Sequence, residues 1–181
     1  SYERLGTAFG KGEEPPRYID VELATYTRSA NIRQKVNLAV EHPEQVRDVR
    51  TSLILSMHDF QGRPADLSRR VLCMTREPAA KVLKIAFRAR SLRDNLELFD
   101  LLAERDRPMI ALGMGEFGLM SRLLAPKFGA FLTFASLRPE STTAPGQPTM
   151  REVLDLYRFR AIGPRTSVYG IVGWPVGHSP S

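Results

Sequence analysis

Short apolar runs rich in strand-forming residues recur along the chain, separated by longer amphipathic stretches. The runs predict β-strands. The longer stretches carry apolar residues at the three- and four-residue spacing of a helix face. Strands that alternate with helices are typical of a parallel α/β fold. The predicted strands cover residues 18–23, 53–58, 82–87, 109–114 and 131–135.

The spacing of these strands narrows the fold class. Four steps from the first strand to the fifth average about 28 residues, close to the βα repeat of a (β/α)8 TIM barrel of about 250 residues. A chain of 181 residues cannot hold eight such units. Two architectures therefore stay open on spacing alone: an open, doubly wound sheet, or an incomplete barrel of about five βα units that has lost its first strands.

Ionisable side chains lie toward the carboxyl ends of three consecutive predicted strands. Alternation places Asp20 and Glu22 on the face opposite the apolar set of their strand. His58 ends the second strand, and Lys84 lies in the third among apolar neighbours. Alone, a strand-end histidine more often satisfies a polar contact, and a lysine more often extends to water. Together, at the edge where barrel enzymes have their active sites, they predict catalysis by a desolvated, nucleophilic amine.

The charge of the chain favours an anionic small-molecule partner over nucleic acid. There are 26 Lys and Arg against 20 Asp and Glu, a formal net charge of +6. The arginines are scattered among acids and form no basic stripe with interleaved aromatics, so no nucleic-acid partner is expected. No apolar run reaches the roughly 18 to 20 residues of a membrane helix, and no signal-peptide pattern is present. We expect no membrane partner and a cytoplasmic location. The single Cys73 cannot form an intramolecular disulfide or a metal cluster.

Five motifs in order resemble type I 3-dehydroquinate dehydratase across residues 17 to 158. They are YIDVEL at 18–23, SMHDF at 56–60, LKIA at 83–86, MGEFGLMSR at 114–122 and APGQ at 144–147. The resemblance favours the incomplete (β/α)8 barrel over the doubly wound sheet. It implies a lyase of the shikimate pathway of aromatic amino acid biosynthesis, with 3-dehydroquinate as its anionic substrate and no metal or dissociable cofactor.

The same resemblance implies roles for individual residues. Lys84 would form a Schiff base with the substrate ketone, and His58 would act as the general base and acid. Arg122 would bind the substrate carboxylate, with Met114 in the same substrate-binding turn. Thr143, where the family often has serine, and Gln147 would contact the substrate from a closing loop. Arg122, Met114, Thr143 and Gln147 are thus the substrate contacts expected from the part of the chain that follows Lys84.

The family's first three strands have no counterpart in this sequence. They carry further arginines and glutamates toward the substrate, including the usual acidic partner of the histidine. Asp20 or Glu22 would then have to orient His58 from within the chain, and Glu22 is counted among the substrate-site residues. We expect this chain alone to be poorly stable and inactive.

A second resemblance begins near the carboxyl end. Residues 161–167 contain Gly-Pro-Arg and are predicted as a linker between a partial barrel at 1–160 and a new segment at 168–181. That segment, VYGIVGWPVGHSPS, resembles the opening of shikimate dehydrogenase, in which Ser179 and Ser181 would hold the shikimate carboxylate. The resemblance implies a bifunctional enzyme. NADP would belong only to a remainder of that second domain.

Two alternatives to the dehydratase remain. Another lysine-imine barrel, such as a class I aldolase, would also place Lys84 on a strand end. A non-catalytic remnant of the enzyme would account for the missing strands. A homodimer is the assembly considered for the complete protein.

Overall fold

Four parallel strands form one sheet in the computed structural model, which describes residues 16–41, 51–138 and 146–170. Neighbouring strands in the sheet are also neighbours in the chain. The strands are β1 Tyr18–Glu22, β2 Ser52–Asp59, β3 Ala80–Arg88 and β4 Met109–Met114.

Helices connect the strands, as expected for parallel pairing, which needs a crossover between one strand and the next. Between β1 and β2 lie α1 Leu23–Arg28 and α2 Ala30–Glu41; α3 Leu67–Thr75 and α4 Asp94–Ala103 make the next two crossovers, and α5 Leu119–Leu123 follows β4. Shorter turns are the 3-10 helices Glu116–Gly118 and Phe159–Ala161 and the π-helix Glu152–Leu156. No helix of the described ranges is long and apolar enough to cross a membrane.

The strand order separates the two architectures left open by spacing. A doubly wound sheet reverses its strand order at a switch point. Here the order β1-β2-β3-β4 follows the chain without reversal. The sheet is therefore arranged as a segment of a barrel, open within the described residues.

The two faces of the sheet bury different side chains. The outer face packs on the helices through fully buried residues such as Leu53, Leu55, Leu83 and Ile85. The inner face has a smaller apolar cluster formed by Ile54, Val82, Ala86, Ile110, Leu112 and Met114, with Leu132 and Phe134 packed against it. Most ionisable side chains of the strands lie on this inner face, so they are surrounded by apolar residues.

The predicted fifth strand at 131–135 is not formed. The Phe131 amide donates a hydrogen bond to the Met109 carbonyl at 2.8 Å, but no ladder follows from it. Leu132 and Phe134 instead cover the inner apolar cluster. Near the end of this segment, Ser136 forms a single parallel bridge with Thr149. The apolar residues of this segment therefore pack on the sheet and do not extend it as a fifth strand.

Candidate active site

The inner face is ordered in rows by the register of the strands. One row, here called the Lys84 row, is formed by Glu22, Ser56, Lys84 and Ile110, which are paired in succession. The row below it, toward the amino ends, contains Asp20, Ile54 and Val82 and is called the Asp20 row. The row above it, toward the carboxyl ends, contains His58, Ala86 and Leu112 and is called the His58 row. Four ionisable groups from three strands, Asp20, Glu22, His58 and Lys84, therefore occupy adjacent levels of one surface.

Glu22 binds the imidazole of His58. Its Oε2 lies 2.7 Å from Nδ1, and its Oε1 accepts a 3.2 Å hydrogen bond from the His58 amide. The Ser56 hydroxyl adds a 3.4 Å hydrogen bond to Oε2. A carboxylate at Nδ1 places the proton of a neutral imidazole on that nitrogen and leaves the lone pair on Nε2. Of the two acids that the sequence offered for this role, Glu22 makes the contact. The site therefore has an acidic partner for His58 within the described chain.

Lys84 is the most enclosed of the ionisable groups in these rows. Its side chain is 13% exposed, and its Nζ forms a 2.8 Å ion pair with Asp20 Oδ2. The same Nζ lies 4.8 Å from the centroid of the Phe134 ring. Desolvation was expected from the apolar neighbours of Lys84, and the low exposure agrees with it. The pairing with Asp20 was not predicted.

Arg122 lies on α5 as a buried cation, 3% exposed. Its Nε has no hydrogen-bond partner, and it forms no ion pair with any residue that the structure describes. Burial lowers the pKa of Arg122 to about 10. A buried guanidinium without a counter-charge is costly unless an anion supplies one. Its environment is that of an anion-binding residue.

A cavity of about 750 Å³ opens at the carboxyl ends of β3 and β4. Met114, predicted for the substrate turn, lines it together with Phe60, which stacks on His58 at 6.2 Å between ring centroids. Arg88 and Arg90 also line this cavity and were not singled out from the sequence. The sequence could have indicated Arg88, because it is an even number of residues from Lys84 on β3 and therefore lies on the same face of the strand.

The predicted closing loop approaches the substrate-binding turn at two glycines. Gly146 has φ +71°, and a Cβ built on it would lie 2.5 Å from the Gly115 carbonyl carbon. Only glycine permits that approach. Gln147 follows directly and is half-buried. Thr143 lies outside the described residues.

The predicted second-domain residues are also outside the described ranges. Ser179 and Ser181 belong to the stretch that follows residue 170. Val168 and Tyr169, at the start of that segment, are exposed, at 52% and 89%. Within the described ranges, no group of three His, Cys, Asp or Glu side chains is placed to hold a metal ion.

Comparison with known proteins gives the same family that the motifs indicate. The family model described as type I 3-dehydroquinase matches residues 7–164. The chain is 40% identical over 166 residues to the chloroplastic bifunctional 3-dehydroquinate dehydratase/shikimate dehydrogenase of Arabidopsis thaliana, covering 91% of this chain and 26% of that protein. It is 31% identical to the 3-dehydroquinate dehydratase of Methanococcus vannielii, covering 77% of this chain and 61% of the relative.

Solved structures agree in fold. The type I 3-dehydroquinate dehydratase from Clostridium difficile with covalently modified comenic acid matches with a TM-score of 0.63 and 27% identity, covering 89% of this chain and 59% of that one. Dehydroquinate dehydratase and shikimate dehydrogenase from S. pombe matches with a TM-score of 0.55 and 30% identity, covering 76% of this chain and 24% of that one. The chain spans about a quarter to about three fifths of the length of these relatives. The family model matches residues 7–164, which are most of this chain. This chain therefore belongs to the type I 3-dehydroquinase family.

Proposed function

We propose that the protein containing this chain dehydrates 3-dehydroquinate to 3-dehydroshikimate through an imine on Lys84. The observation that carries the proposal is the placement of two groups on adjacent strands. The enclosed Lys84 amine lies one row below an imidazole whose Nδ1 is held by Glu22. We propose 3-dehydroquinate as the substrate because this chain belongs to the type I 3-dehydroquinase family.

The reaction divides between these two groups. The Lys84 amine adds to the substrate ketone and, with loss of water, forms an iminium that makes the adjacent carbon acidic. His58 removes a proton from that carbon through Nε2, the nitrogen that Glu22 leaves unbonded. The same imidazole then protonates the departing hydroxyl. Glu22 stabilises the imidazolium that exists between the two transfers. No dissociable cofactor is required.

Substrate binding is assigned to the downstream motifs. Arg122 supplies the buried cation for the substrate carboxylate, whose arrival would provide the missing counter-charge. Met114 forms part of the apolar wall of the cavity. Gln147 and Thr143 contact the substrate from the closing loop, which Gly146 brings against the substrate-binding turn.

Borohydride trapping tests the imine directly. The full-length gene product is incubated with 3-dehydroquinate and sodium borohydride, which reduces an iminium to a stable secondary amine, and the labelled peptide is mapped by mass spectrometry. We expect the adduct on Lys84. Lys81, exposed on the same strand, is the internal control. An adduct on Lys81, or turnover without any adduct, would contradict the assignment.

A class I aldolase is the nearest alternative with the same nucleophile. The unpaired, buried Arg122 favours a substrate with a carboxylate, and the Glu22-bound His58 favours proton transfer next to an imine. Comparing turnover of 3-dehydroquinate with that of aldol substrates by the same preparation separates the two reactions. Aldol cleavage without dehydration would reverse the choice.

We further propose that residues 168–181 begin a shikimate dehydrogenase domain, with Ser179 and Ser181 at its substrate carboxylate. The family match ends at residue 164, inside the predicted linker, and the Arabidopsis relative carries both activities in its name. NADP would serve only that domain. Homodimerisation and a cytoplasmic location stay predictions for the full-length gene product, and the Arabidopsis relative is named chloroplastic.

A further inference from the structure

The partner of the Lys84 amine is a carboxylate that comes from the row beneath it. Asp20 Oδ2 lies 2.8 Å from Lys84 Nζ, although the two residues are 64 positions apart in the chain. In the register of the sheet, Asp20 is aligned with Ile54, and Lys84 with Ser56. The ion pair therefore draws the amine toward the amino ends of the strands, away from the His58 row.

An ion pair of this kind is often only structural, and exposed pairs contribute little to stability. Two observations distinguish this one. The Lys84 side chain is 13% exposed, so its charge is largely removed from water. It is also the nucleophile of the proposed reaction, so whatever binds Nζ acts on the reacting atom.

The charged groups around Lys84 leave Asp20 as its carboxylate. From β1, the inner face presents Asp20 and Glu22, and Glu22 is bound to His58 by both oxygens. From β2 it presents His58, and from β4 the neighbouring side chains are the apolar Ile110 and Leu112. The segment above contributes the Phe134 ring. Within the described residues, one strand thus supplies a separate acid for each reacting group.

An ammonium ion cannot attack a ketone until it has lost a proton. The Asp20 carboxylate, 2.8 Å from Nζ, is placed to accept that proton. We propose that Asp20 is a positioning residue and proton acceptor for Lys84, an inference that rests on the proposed imine mechanism. Asp20 holds the amine as an ammonium below the substrate and takes one of its protons when the ketone arrives.

The proton balance of the step closes without any additional reactant. Asp20 accepts a proton from Lys84, and the amine lone pair forms the nitrogen–carbon bond while the carbonyl electrons move to oxygen. Asp20 then returns its proton toward that oxygen. The oxygen leaves as water with two of the three ammonium hydrogens, and the nitrogen keeps the third in the iminium. Asp20 ends the step as a carboxylate, ready for the hydrolysis that reverses it.

The test compares Asp20→Asn with Glu22→Gln in the full-length gene product. The rate of borohydride-trapped imine formation on Lys84 is measured separately from overall turnover. We expect Asp20→Asn to slow imine trapping by about 100-fold, the lower end of the effect of a positioned acid–base group. Glu22→Gln should leave the trapping rate within about threefold and lower turnover through the His58 step.

Rescue by a carboxylate separates this role from a merely structural one. Asp20→Glu should recover part of the trapping rate by restoring a carboxylate, which would not be expected if Asp20→Asn only loosened the fold. If Asp20→Asn traps imine at the wild-type rate, the role of Asp20 is overturned. If the wild-type protein itself gives no Lys84 adduct, the proposed function fails first, and the two failures are therefore distinct.

Discussion

Glu22 Oε2 lies 2.7 Å from His58 Nδ1, and the same carboxylate also binds the His58 amide. These two contacts fix both the tautomer of the imidazole and its direction. We expect Glu22→Gln to lower kcat by about 100-fold, because the amide cannot stabilise the imidazolium. KM should change little, since Glu22 is turned toward His58. Steady-state kinetics measure both constants, and a large rise in KM alone would show instead that Glu22 binds substrate.

His58→Ala should separate proton transfer from imine formation. Removing a general base typically costs at least about 100-fold in rate. The Lys84 amine and its Asp20 partner do not depend on His58, so borohydride should still label Lys84 in this variant. Turnover close to that of the wild type would place the base elsewhere.

Arg122 should lower the stability of the substrate-free protein, although it contributes to substrate binding. Its pKa in the fold is about 10, below its usual value, because burial disfavours the charge. Above about pH 10 the unfolded chain therefore binds more protons than the folded one, and stability rises with pH there. Below pH 10 the penalty is present in full. At neutral pH, Arg122→Met should raise Tm and weaken substrate binding at least tenfold.

Thermal unfolding with and without substrate checks both effects of Arg122→Met. Substrate should raise the Tm of the wild-type protein and have little effect on the variant. Arg151→Met is the matched control, since Arg151 is exposed, in a long i,i+4 pair with Asp155. An Arg122→Met variant with wild-type affinity would remove Arg122 from the carboxylate site.

Gly146→Ala should impair the closing loop. The new Cβ would lie 2.5 Å from the Gly115 carbonyl carbon, on a backbone with φ +71°, and the left-handed conformation alone costs about 1 to 2 kcal/mol for other residues. We expect a several-fold rise in KM, measured by steady-state kinetics. At Gly163 a Cβ would meet nothing within 4 Å, so Gly163→Ala is the control. Equal effects of the two substitutions would refute the loop contact.

The 181-residue chain expressed alone should associate and lack dehydratase activity. Its described sheet is open, with β1 and β4 at the edges. Exposed parallel edges favour pairing between copies. Size-exclusion chromatography with light scattering measures the association, and an active, cooperatively folding monomer would contradict the prediction.

Sequence patterns predicted well those strands that are paired in the sheet. All four strands of the sheet lie within two residues of their predicted bounds. The run at 131–135 has a similar strand-forming composition, yet its contacts are to the inner apolar cluster. Composition indicates a strand propensity, and it does not indicate whether a neighbouring strand is present.

The reacting groups of the site were predictable, and their pairing was not. Lys84 and His58 were identifiable from strand position. Which acid binds which partner depends on the register between β1 and its neighbours, and on the bend of a long lysine side chain toward Asp20. Both are set by tertiary packing, so sequence spacing leaves Asp20 and Glu22 interchangeable.

Both proposed reacting groups depend on the five-residue strand β1 for their acidic partners. It carries both acids, and it holds them two positions apart, one for each reacting group. A slip of β1 by one residue would turn both carboxylates to the helix side, so His58 and Lys84 would lose their partners in the same event. Deleting one residue within β1 should therefore do more harm than either acid substitution alone. The length of this short strand matters to the chemistry as much as its side chains do.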